Sequence, residues 1–107
     1  MSTLIHSLIE QTTGDCHSDH DALFNMAYAL AEKLQFPLNA MWLGDHVTVV
    51  AIDPENSSSC QGIKAVLAEE AKPIPLLELT FVQPDSTSAT WLTAYQQWLI
   101  QEGIVFV

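Results

Sequence analysis

Apolar positions change period along this chain, and the changes mark its elements. Leu4, Ile5, Leu8 and Ile9 recur at helical spacing behind Ser2 or Thr3 as N-cap, and Gly14 ends the segment, which predicts a short first helix. From Ala22 to Leu34 the stripe Leu23, Met26/Ala27, Leu30 and Leu34 follows the i, i+3, i+4, i+7 pattern of a buried helix face, and Pro37 closes it. Two β-rich runs follow, Leu38 to Leu43 and Val47 to Ile52. Gly44-Asp45-His46 between them and Asp53-Pro54 after them predict a hairpin.

Gln61 to Glu70 is ambiguous. Ala65, Leu67, Ala68, Glu69 and Glu70 favour helix by propensity, whereas Gly62, Ile63 and Val66 suit a strand. Pro73 and Pro75 then interrupt the chain, so Ile74 to Val82 is predicted as a strand beginning at an edge or bend. Ser86 to Ser88 offer caps for a last helix whose Leu92, Tyr95 and Trp98/Leu99 share one face. Gly103 followed by Ile104 fits a left-handed C-terminal cap. Trp91, Tyr95 and Trp98 at helical spacing read first as core, because the stripe continues through Leu92 and Leu99, and second as a face for a partner or a homodimer.

The 107 residues carry no repeat and no low-complexity tract beyond Ser57-Ser58-Ser59, so residues 1–107 are expected to form one domain with its own core. Cys16 and Cys60 are too few and too far apart for a disulfide framework, which points to a reduced, cytoplasmic setting. The first residues, MSTLIHSLIEQ, lack a basic n-region, and no apolar run approaches the roughly 20 residues of a membrane span, so a soluble, uncleaved chain is expected.

Charge changes the picture most. Lys33, Lys64 and Lys72 are the only lysines, there is no arginine, and thirteen carboxylates bring the formal net charge to −10. Such a chain repels phosphate backbones and anionic lipid, which excludes nucleic acid and membrane surfaces as expected partners. It attracts cations, either small ions such as Ca²⁺ or basic patches on other proteins.

Candidate chemistry concentrates in Gly14 to Ala22, GDCHSDHDA. Ser18 with Asp21 three residues on is a shortened capping box, and Asp19 and Asp21 fall where a helix dipole favours anions. The same stretch offers His17 and His20 one turn apart beside Cys16. That spacing falls short of the paired Cys and His patterns of structural zinc sites. For calcium, Asp15, Asp19 and Asp21 are hard oxygen donors, but the ion takes six to eight oxygens and no EF-hand loop is present. Further donors would come from Asp45, Asp53 and Glu55, with Glu69/Glu70, Glu78 and Asp85 also near turns or strand ends. With four glycines, no nucleophile elbow, Walker loop or dinucleotide fingerprint is present, so a non-enzymatic role is expected.

The order of several local motifs resembles the small acidic calcium-binding domains of the CcbP type, described as calcium-buffering regulators in cyanobacteria and found more widely in bacteria. Ala22 to Ala40, ALFNMAYALAEKLQFPLNA, is similar to that family's helix leading into a Phe-Pro strand. Leu43-Gly44-Asp45-His46-Val47-Thr48-Val49-Val50 resembles its Gly-Asp turn and strand. Gly62-Ile63 with Ile74-Pro75-Leu76-Leu77-Glu78-Leu79 resembles a later hairpin, and Trp91, Tyr95 and Trp98 sit where the family has an aromatic-rich helix. The resemblance implies that Gly62 to Leu67 is a strand. It also implies an α+β fold: a small twisted antiparallel sheet like an SH3-type barrel, flanked by N-terminal helices and a C-terminal helix. The implied function is divalent-cation binding, foremost Ca²⁺, through loop carboxylates as a buffer or sensor. The alternative is an acidic protein-interaction module with a basic partner. Asp45 is the one acid that aligns to a motif position, where Gly-Asp also suits a tight turn on its own.

Overall fold

A computed structural model describes residues 2–14, 18–58 and 62–104. Its elements are α1 (Ser2–Thr13), α2 (Asp19–Lys33), β1 (Leu38–Trp42), β2 (Asp45–Ser58), β3 (Gly62–Leu67), β4 (Ile74–Pro75), a 3-10 turn (Leu76–Glu78), β5 (Thr80–Phe81) and α3 (Ser86–Glu102). The strands form an antiparallel sheet in the order β4-β3-β2-β1-β5.

The second helix starts where the capping box predicts. Ser18 is extended, and its hydroxyl accepts the Asp21 backbone N–H at 3.2 Å. The predicted stripe is its buried face: Leu23, Met26, Ala27, Leu30 and Leu34 all enter the core. Each leucine buried there stabilises the fold by about 1.5–3 kcal/mol relative to an exposed one. The chain then turns through a cis Phe36–Pro37 peptide into β1.

In β1, Leu38 and Ala40 face inward, as do Val47 and Val49 of β2 and Ile63, Ala65 and Leu67 of β3. The strand implied by the resemblance at Gly62 to Leu67 is thus present, and the helical propensity of this segment is overridden. Pairing with β2 on one side and β4 on the other satisfies its backbone, and its alternate residues fill the core.

Four expectations about the sheet are corrected. The β1–β2 turn is Leu43-Gly44, so Asp45 and His46 belong to β2, opposite Trp42 and Met41. Asp53-Pro54 does not end β2, which continues to Ser58 through a break in register. Ile74 to Val82 is not one strand: Pro75 has no N–H to continue a ladder, and the 3-10 turn separates β4 from β5. These two-residue strands lie at opposite edges of the sheet, so it is open rather than closed into an SH3-like barrel.

On α3, Trp91, Tyr95, Trp98 and Leu99 are buried, as the core reading of the aromatic stripe predicts. The Tyr95 hydroxyl accepts the Ile63 backbone N–H at 3.2 Å, which ties α3 to β3, and burial pushes its pKa up to about 12. The helix begins one residue earlier than the serines suggest. Asp85 is the N-cap and accepts the Ser88 N–H at 3.0 Å, while the buried Ser88 hydroxyl accepts the Gln35 N–H at 2.8 Å. Gly103 closes α3 in the left-handed conformation, as predicted.

Candidate functional site

The described acids of the sheet gather at two places on β2, its start and its bulge. The start is built by a two-residue turn with positive φ at both positions, 52° at Leu43 and 85° at Gly44. Paired positive φ values match the twist of a hairpin, and glycine meets this demand while leucine does so under strain. The turn sets Asp45 opposite Trp42. On the far side of Trp42, its indole N–H donates to Glu78 Oε1 at 3.2 Å.

Glu69 joins this end of the sheet from the turn after β3. Its Oε1 accepts the Thr48 backbone N–H at 2.9 Å, and the Thr48 carbonyl accepts the Ala68 N–H at 2.9 Å. A side-chain carboxylate thus takes the place of a ladder carbonyl. The Thr48 N–H holds the Glu69 carboxyl below its usual pKa, with a smaller contribution from nearby His46. The carboxylates of Glu69 and Glu78 are thereby oriented by groups from other elements, whereas Asp45 at the start of β2 and Glu70, next to Glu69 in the chain, are exposed.

The second place is the bulge. Between Asp53↔Lys64 and Ser58↔Gly62, β2 has four intervening residues and β3 one, and the surplus loops out. Asp53 organises the loop: its carboxylate accepts the Asn56 backbone N–H at 3.3 Å and the Asn56 side-chain amide at 2.6 Å. Ser57 fastens it to the sheet. Its hydroxyl donates to the Asp53 carbonyl at 2.8 Å and accepts the Lys64 N–H at 3.0 Å, within a residue that is only 4 % exposed. Glu55 stands exposed at the crest.

These two places are separate. Asp45 and Asp53 lie eight residues apart on one strand, about 26 Å at strand extension. A calcium ion reaches its oxygens at about 2.3–2.6 Å, so it cannot take both aspartates. Asp21 is on a third element: exposed, in the first turn of α2, with its N–H committed to Ser18. Asp15, Cys16, His17 and Cys60 lie outside the described residues, and of Asp19 and His20 only the helical backbone is described. The zinc reading of Gly14 to Ala22 rests on those residues, whereas its helix-start reading is realised at Ser18.

The donors described at both places are carboxylate oxygens, the chemistry of a hard cation. The donor number is lower than a closed site needs, since no three His, Cys, Asp or Glu side chains among the described residues converge to hold an ion. Sequence reasoning passed over Ser57 as part of a serine tract. It named Glu69 and Glu78 only as acids near turns, because their partners lie 21 and 36 residues away.

Comparison with known proteins adds what geometry alone does not. The family model of CcbP-type calcium-binding proteins, described as "Calcium binding", matches residues 6–99. Among solved structures, "The crystal structure of Anabaena CcbP" superposes with a TM-score of 0.78 at 16 % identity, covering 91 % of this chain and 89 % of that one. A second, "Calcium binding protein in the calcium-binding form", gives a TM-score of 0.69 at 14 % identity, covering 96 % and 94 %. At these identities the likeness is one of fold. No curated protein matches significantly.

Proposed function

The chain belongs to the CcbP-type calcium-binding family, and from that premise we propose that it is a non-enzymatic Ca²⁺-binding protein acting as a buffer or sensor in the cytoplasm. The observation that carries this reading is the family match across residues 6–99, and the net charge of −10 supplies the physical driver. Carboxylates held near one another repel, and an ion that neutralises them in the folded state stabilises that state. The proposed donor at the start of β2 is Asp45. At the bulge the donors are Asp53 and Glu55, and near the start of α2 Asp15, Asp19 and Asp21. Backbone carbonyls and water would complete the coordination at each place.

Thermal unfolding tests the proposal. Ca²⁺ added to chelator-stripped protein is expected to raise the melting temperature more than equal Mg²⁺ does, because a ligand of the native state stabilises by mass action, about 2.7 kcal/mol at a hundredfold excess over Kd. Identical melting in Ca²⁺ and in chelator would contradict it.

A second reading, an acidic module for a basic protein partner, is favoured by the charge together with exposed apolar side chains such as Leu43 at 79 % and Ile100 at 74 %. Binding of that kind weakens steeply with salt, whereas a multidentate ion site is affected less. On α3, Ile100 is exposed whereas Trp91, Tyr95 and Trp98 are in the core, so self-association through this helix would not run through the aromatic residues.

A further inference from the structure

We draw no further inference here: the strongest candidate, the apolar cavity of about 340 Å³ between the start of α1 and α3, lined by Leu4, Ile5, His6, Ala89, Thr93 and Gln97 among others, is an unpartnered groove, and nothing in the structure shows what covers it.

Discussion

The two acid-bearing places on β2 are held by opposite means. At the bulge, Asp53 is engaged by its own loop: Asn56 is three residues away, and both of its bonds run to the Asp53 carboxylate. At the start of the strand the carboxylates are engaged from afar, Glu69 by Thr48 and Glu78 by the Trp42 indole. A locally held acid keeps its geometry while its loop persists. An acid held across elements keeps its geometry only while the sheet does. The first arrangement is a property of a short segment and the second a property of the fold.

The largest effect is expected where the loop meets the sheet. Ser57→Ala leaves the part-buried Lys64 N–H without its acceptor and removes the tie to the Asp53 carbonyl, which should together cost about 1–3 kcal/mol in a denaturant titration. An unchanged midpoint would mean that the bulge is not fastened through Ser57.

Next comes the turn at the other end. Leu43→Asn places a residue that tolerates positive φ where the turn requires it, and should stabilise the protein by roughly 1 kcal/mol. Destabilisation would show that the exposed leucine makes a contact outweighing its strain.

Calcium sharpens the comparison further. Asp45→Asn and Asp53→Asn should each reduce the calcium-dependent rise in melting temperature, and the double variant should lose the sum, because sites this far apart act independently. A double variant no worse than either single one would place the two aspartates on one ion, against the separation along β2.

The smallest effects concern Glu69. Its carboxyl is held below the usual value by the Thr48 N–H, so the unfolded chain binds the proton more readily. The contribution of this bond is therefore fully present above the ordinary glutamate pKa of the unfolded chain and is lost as pH falls through the lower folded value. Amide exchange at Thr48 should quicken in Glu69→Ala at neutral pH. Glu69→Gln, which keeps an acceptor oxygen, should resemble the parent. Equal exchange in all three proteins would remove the carboxylate from the ladder.

The same contrast explains what could be read from the sequence. The stripe from Leu23 to Leu34 and its Ser18 cap are local signals, and both match α2. The left-handed close at Gly103 is local as well. The β1–β2 turn was displaced because Leu43 carries no mark of a residue destined for positive φ. Gln61 to Glu70 leans helical by propensity through residues such as Ala65 and Leu67, and only pairing with β2 and β4 makes these two core residues of a strand. Thirteen carboxylates are visible as charge. Which of them are oriented, and by what, depends on partners that folding supplies: Trp42 for Glu78 and Thr48 for Glu69.

The central claim is that this chain binds calcium, and calorimetric titration of Ca²⁺ into chelator-stripped protein at near-physiological ionic strength, with Mg²⁺ and Zn²⁺ alongside, tests it most directly. The account predicts saturable heat for Ca²⁺ with a dissociation constant on the order of micromolar to tens of micromolar, and weaker binding of Mg²⁺. Silence for Ca²⁺, or binding selective for Zn²⁺, would contradict it.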